Sequence, residues 1–358
     1  MAIVGHSIER AASLLRAGYP VAIPTETVYG LAANACNPDA LLKVFEAKKR
    51  PLFDPLIVHL PSVEAILPYA QEIPPLAYDL WAKYSPGPLT LVLRKSSLLP
   101  DLVSSGLPTA GFRIPSHPIA LTLLWEVDFP LAAPSANLFG RVSPTSADHV
   151  MNQLGDAIPY VLDGGPCHVG LESTILDLSG EVPLLLREGG IPSQQIEHDF
   201  QFTLRRPSHS FRVSDGYAQA PGTLENHYAP AVPLKLVHHH ESLDSVLAQI
   251  LSPGNNGHPI SPSVNFPRNT ALGLLLFQTD ISEAHRQQWE GQFKGLALHV
   301  EVLSQAGNLH EAARNLFAAM RNLERVSDYI LAQSVPETGL GLAINDRLRR
   351  ASWVSSSK

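Results

Sequence analysis

Apolar residues along the chain follow two different periods. Ile8, Ala11, Ala12 and Leu15 recur at i, i+3, i+4 and i+7, with Ser7 placed as an N-cap and Gly18 as a stop, which predicts a short amphipathic helix. The period then shortens. Val21–Ile23, Leu56–Val58, Leu89–Leu93, Pro130–Ala133, Tyr160–Leu162 and Thr174–Leu176 are brief apolar runs of the kind that form strands. Helical stretches between them are expected at Pro38–Lys48, Leu76–Tyr84, Pro118–Glu126 and Thr145–Leu154. Residues 1–204 therefore read as an α/β unit with strands buried on both faces.

The pattern breaks at residues 205–232, where Arg205-Arg-Pro, Ala220-Pro-Gly and His227-Tyr-Ala-Pro230 carry no apolar period, so this stretch is taken as a linker. A second α/β unit is expected at residues 233–358. Its strands are Leu234–Val237, Leu272–Phe277 and Tyr329–Leu331. Its clearest helix starts at Asn308, which has capping-box spacing to Glu311 and precedes an apolar face of Leu309, Ala312, Ala313, Leu316, Met320 and Leu323. Ser252–Asn269, rich in Pro, Gly, Asn and Ser, reads as a mobile surface loop.

Composition narrows the classes. The 358 residues suit two domains at about 150 residues each. With 45% hydrophobic and 16% charged residues the chain is expected to fold, and its net charge of -7 gives no global basic field for a nucleic acid. Cys36 and Cys167 are the only cysteines and lack CxxC spacing, which supports neither a disulfide framework nor a thiolate zinc site. No signal-peptide pattern and no apolar run near the ~18 residues of a membrane span are found, so a cytoplasmic protein without a membrane partner is expected.

Candidate chemistry clusters after the strands. Pro24-Thr-Glu-Thr-Val-Tyr-Gly-Leu31 offers hydroxyls and a glycine where α/β sheets place ligands, although a plain strand-to-loop turn explains it equally well. Lys48 and Arg50 can grip a polyphosphate, or merely complement a helix dipole. His59 can bind a carboxylate or hydroxyl, but a lone histidine on an apolar strand is more often a core residue. Ser135, Asn137 and Ser143 are small donors suited to phosphate oxygens; Ser143 or Thr145 can equally cap the next helix, and Thr145 is the expected cap. Arg113 and Arg187 each end an apolar stretch and can meet an anion or sit in a surface ion pair. His238-His-His240 is read as an incidental surface tract. P-loop, dinucleotide, zincin and serine-hydrolase motifs are absent. Residue by residue, this describes an α/β protein that binds anions.

Taken together, PTETVYGL, the KxR of Lys48 and Arg50, PLIVH, FRIP, the SxN of Ser135 and Asn137, SPT, EST and LREG stand in the order of the YrdC-like family. APGTLENHYAP and AINDRLRRA resemble the linker and tail of its two-domain threonylcarbamoyl-AMP synthases. The resemblance implies a twisted open-sheet catalytic domain followed by a smaller Rossmann-like domain. It implies that L-threonine, bicarbonate and ATP give L-threonylcarbamoyl-adenylate, with magnesium on the ATP phosphates and no metal held by protein ligands. Thr27, His59, Arg113, Ser173 and the backbone of Ala133 would hold threonine, with Arg113 on its carboxylate. Lys48, Arg50, Asp54, Thr109, Ser135, Asn137, Ser143 and Arg187 would surround ATP, with Tyr228 as a lid. Asp54 departs from the family's usual Asn, and beside phosphates it is expected to act through magnesium or another cation. By the same resemblance, a separate transferase would pass the product to tRNA. Two rivals remain: a carbamoyl-adenylate activity, whose relatives carry zinc-finger cysteines this chain lacks, and a non-catalytic RNA-binding module, against which the acidic balance argues.

Overall fold

The computed structural model describes residues 1–206, 227–238, 241, 246, 271–278, 287, 289, 291 and 297–352. Most of the expected linker, the Ser252–Asn269 loop and His239–His240 lie outside them. The chain divides into two units, Met1–His227 and Tyr228–Lys358.

The first unit is built on one mixed sheet. Its strands are β1 (Ile3–Gly5), β2 (Val21–Ile23), β3 (Gly30–Asn34), β4 (Ile57–His59), β5 (Ala70–Gln71), β6 (Leu89–Lys95), β7 (Thr109–Arg113), β8 (Leu131–Ala132), β9 (Tyr160–Leu162), β10 (Thr174–Asp177) and β11 (Leu184–Arg187). The order is β1-β9-β2-β3-β8-β4-β7-β6-β10-β11, with β5 beside β6. Both parallel pairs, such as β4/β7 and β6/β10, and antiparallel pairs, such as β6/β7 and β10/β11, occur.

Register decides which residues share a face, because directly opposed residues point to the same side. His59 opposes Arg113, Arg113 opposes Thr90, Thr90 opposes Ile175, and Ile175 opposes Arg187. Ser173, two residues before Ile175, follows the same alternation. One face of the sheet thus carries His59, Arg113, Thr90, Ser173 and Arg187. The other carries Val58, Leu91, Leu93, Phe112 and Leu176, which join Leu80, Trp81 and Ile196 in the main hydrophobic core. The period-2 alternation separates chemistry from packing within the same strands.

Helix limits follow their caps. The first helix, Ile8–Arg16, begins where Ser7 Oγ accepts from the Arg10 N–H, as expected. Helix Pro38–Lys48 starts with Asn37 Oδ1 accepting from Asp39 and Ala40 and with Pro38 in the first turn. The expected Thr145 cap is corrected: the helix spans Ala147–Leu154, and Ser146 Oγ accepts from the His149 N–H.

In the second unit β12 (Leu234–Val237), β13 (Ala271–Leu276), β14 (Ala297–Val302) and β15 (Tyr329–Gln333) form an all-parallel sheet in the order β12-β15-β13-β14. This is the Rossmann-like arrangement that the resemblance implied. Helix Leu309–Val326 buries Ala312, Ala313, Leu316, Phe317, Met320 and Leu323. Its cap is one-sided rather than a box. Asn308 Oδ1 accepts from His310 and Glu311, while Glu311 takes a hydrogen bond from Ser304 Oγ, which in turn accepts from the Asn308 N–H. Among the described residues no helix is long and apolar enough to cross a membrane.

Candidate active site

The three successive cations Lys48, Lys49 and Arg50 end a helix, yet only Lys49 is exposed. The cause is backbone geometry. Lys49 takes the left-handed conformation at φ 51°, and the Arg50 N–H closes on the Phe45 carbonyl, so the chain turns and both flanking side chains point inward. A helix-dipole role in solvent does not account for such burial.

Lys48 Nζ donates to the backbone carbonyls of Ser135 and Asn137, and the Phe139 N–H donates to the Lys48 carbonyl at 2.9 Å. These bonds tie the helix end to the loop after β8. Asn137 donates through Nδ2 to the carbonyls of Leu138 and Arg141, both at 2.8 Å, while its buried Oδ1 meets no donor. Ser143 Oγ donates to Glu172 Oε1 at 2.6 Å, which joins this loop to the segment before β10. There Arg187 donates through Nε and Nη2 to the Ser173 carbonyl at 3.0 and 2.9 Å. Gly189 makes that approach possible: a Cβ at this position would lie 2.4 Å from the backbone of Glu172, Ser173 and Thr174.

Asp54 is fully buried, with Oδ2 2.9 Å from Arg50 Nη2. The pair lacks hydrogen-bond geometry, and Arg50 instead donates through Nε and Nη2 to the carbonyls of Asp54 and Pro55 at 3.1 and 2.7 Å. Burial pushes the Asp54 carboxyl up, opposed by the charges of Arg50, Lys48 and Arg187. Burial and the neighbouring Arg50 push Lys48 well below the usual lysine range, against the pull of Asp54. Three basic side chains therefore act on one carboxylate, of which Arg50 is in ion-pair contact with it.

The opposite chemistry is found around Arg113. Its Nη2 meets Glu26 Oε1 at 2.6 Å and Thr27 Oγ1 at 2.8 Å, and its Nε reaches the Gly87 carbonyl at 3.4 Å. His59 Nδ1 donates to the Ile57 carbonyl at 3.1 Å, and burial, with Arg113 beside it, holds the ring down to about 3. It is a neutral imidazole at ordinary pH. Ser173 Oγ shares a hydrogen bond with Thr90 Oγ1 at 2.7 Å. Ala133 lies across from Ile57, to whose carbonyl its N–H donates at 2.9 Å. Further along the same strands a small cavity is lined by Ile57, Thr90, Val92, Thr109, Gly111 and Ile175. Gly111 keeps it open, since a Cβ there would press on Thr90 at 3.1 Å.

Thirteen of the candidate positions thus fall in the first unit and are joined by these contacts or this sheet face. Tyr228 does not join them. Its fully buried ring stacks on Phe317 at 5.7 Å and beneath Arg347 at 5.2 Å, all in the second unit. Its neighbour His227 packs edge-on against Phe139 of the first unit at 6.2 Å. Glu26, Thr90 and Glu172 are partners that sequence reasoning passes over. For Glu26 the signal was present: it is the one acidic residue in a loop otherwise made of hydroxyls and apolar groups.

Fold and site define a two-unit α/β protein whose first unit carries a buried cation-rich cluster around Asp54 and a charge-balanced cluster around Arg113. Residues 13–189 match a family model described as "Telomere recombination", and residues 191–352 match one described as "Threonylcarbamoyl-AMP synthase, C-terminal domain". The chain is 38% identical to the threonylcarbamoyl-AMP synthase of Pyrococcus abyssi, covering 96% of this chain and 94% of that one. The Bacillus subtilis threonylcarbamoyl-AMP synthase is also 38% identical, with 96% and 92% covered. The crystal structure of P. abyssi Sua5 complexed with L-threonine superposes with a TM-score of 0.83 at 36% identity, covering 98% of this chain and 97% of that one. The chain belongs to the threonylcarbamoyl-AMP synthase family.

Proposed function

We propose that the chain converts L-threonine, bicarbonate and ATP into L-threonylcarbamoyl-adenylate, pyrophosphate and water. The observation that carries this reading is the burial of Lys48, Arg50 and Arg187 in one unit, with Arg50 2.9 Å from Asp54, together with an Arg113 that keeps donors to spare. Threonine would lie among Thr27, His59, Ala133 and Ser173, its carboxylate on Arg113. The neutral His59, with its proton on Nδ1, would accept a hydrogen bond from the substrate's hydroxyl or amine. ATP would lie against Lys48, Arg50, Thr109, Ser135, Asn137, Ser143 and Arg187, with Asp54 acting through Arg50.

Threonine's amine and carbon dioxide form a carbamate whose oxygen attacks the α-phosphorus, and pyrophosphate leaves. No protein nucleophile is required, so catalysis rests on positioning and on cancelling phosphate charge. Glu26 and Glu172 are committed to Arg113 and Ser143, and Asp54 is paired in charge with Arg50, which fits a magnesium ion carried in on the phosphates rather than held by the protein. Such an ion would supply further neutralisation.

We assign residues 1–204 to catalysis, 205–232 to a linker and 233–358 to the Rossmann-like domain; the lid role expected of Tyr228 is not carried over, because its ring is packed between Phe317 and Arg347. The product is passed, in the cytoplasm, to a transferase that modifies the adenosine beside the anticodon of ANN-decoding tRNAs. Incubation with ATP, threonine and 13C-bicarbonate tests the reaction. A product one mass unit heavier than that from unlabelled bicarbonate is expected, and incorporation from carbamoyl phosphate instead would assign the carbamoyl-adenylate rival.

A further inference from the structure

Glu26 has no place in the reaction just described, yet it is fully buried beside the groups assigned to threonine. Its carboxylate works in two directions. Oε1 accepts from Arg113 Nη2 at 2.6 Å, and Oε2 accepts from the Ser116 N–H at 3.1 Å. Its own backbone is tied as well, since the Val169 N–H donates to the Glu26 carbonyl at 2.8 Å. Arg113 gives its second Nη2 hydrogen to Thr27 and its Nε hydrogen to Gly87. Of the five guanidinium hydrogens, only the two on Nη1 meet no acceptor among the described residues.

We propose that Glu26 is the positioning residue of the amino-acid pocket, fixing Arg113 through Nη2 so that Nη1 alone meets the substrate carboxylate. The inference rests on the assignment of Arg113 to that carboxylate. The paired charge offsets the desolvation of a guanidinium that is 4% exposed, which a lone buried cation could not do. Tethering at one end also removes orientational freedom before the ligand arrives, so less is lost on binding. A pocket already balanced at zero charge suits a small α-amino acid, which brings one carboxylate and one amine.

Glutamine cannot replace this carboxylate. It offers one acceptor oxygen where two donors, Arg113 Nη2 and the Ser116 N–H, must be met on separate oxygens. The test is calorimetric binding of L-threonine, L-threoninamide and ATP to the full chain and to its Glu26→Gln and Glu26→Asp variants, with thermal melts of each. Threoninamide lacks the carboxylate and so reports on the rest of the pocket. Glu26→Gln is expected to weaken threonine by about tenfold or more, the scale of a charge-assisted hydrogen bond, while threoninamide and ATP stay within about twofold. Glu26→Asp, which keeps the charge on a shorter arm, is expected to recover part of the loss. Unchanged threonine affinity in Glu26→Gln overturns the proposal, and so does an equal loss of all three ligands, which marks a merely structural residue. Should Glu26→Gln fail to fold, Glu26→Asp carries the same three-ligand comparison, with a loss confined to threonine as the supporting result. A wild-type chain that binds no threonine overturns the functional reading itself, and the proposal with it.

Discussion

Around Asp54 three cations face one carboxylate, whereas around Arg113 one cation faces one carboxylate, Glu26. The two regions rest on the same unit and on comparable burial, so the difference lies in charge alone. The cluster at Asp54 gathers cationic side chains out of water, where burial pushes Lys48 down and Asp54 up. The cluster at Arg113 is balanced by Glu26 and includes a histidine held neutral. Under the function proposed above, a polyphosphate and a zwitterion demand these opposite preparations.

Breaking the cationic side should have the largest effect. Lys48→Met or Arg50→Ala is expected to lower turnover by about a hundredfold or more without unfolding, in steady-state assays paired with circular dichroism. The same side should take up protons. Phosphates favour the protonated forms of Lys48, held down by burial, and Asp54, so ATP binding is expected to take up protons and to tighten as pH falls. Calorimetry in buffers of different ionisation enthalpy measures this, and Lys48→Met should reduce it.

The balanced side is sharpened by His59. Its folded pKa of about 3 lies below the unfolded 6.5, so its contribution to stability is full above pH 6.5 and is lost as pH falls towards 3. His59→Gln should therefore lose about 4 kcal/mol less stability than wild type between pH 7 and pH 3.5, read from urea denaturation. Arg113→Lys keeps the charge but not the fork, and should raise the KM for threonine about tenfold while leaving that for ATP unchanged. The smallest effect is expected from Asp54→Asn, which removes the one opposing charge and should tighten ATP by about fivefold. Weaker ATP binding in that variant would mean that Asp54 orders Arg50 more than it opposes phosphate.

Much of the fold was legible because periods and caps are local. Pro38–Lys48 and Pro118–Glu126 appear with the expected limits. Strand β3, Gly30–Asn34, escaped because Gly-Leu-Ala-Ala-Asn lacks β-branched residues, whereas the alternation of Leu298, Val300 and Val302 carried a signal for β14 that was passed over. In the site, the cations and hydroxyls were visible as residue types. Their pairing was not. Glu26 and Arg113 stand 87 positions apart, and only strand register brings Arg113 beside Thr90 and His59. Which cation is balanced and which is left in excess is a property of three-dimensional neighbours, so the contrast between the two pockets could not be read along the chain.

The most direct test is pyrophosphate release from ATP and magnesium by the wild-type chain and by Lys48→Met, omitting threonine and bicarbonate in turn. The account predicts release that requires both substrates and falls by about a hundredfold in the variant. Release that is independent of threonine, or undiminished in Lys48→Met, would contradict it.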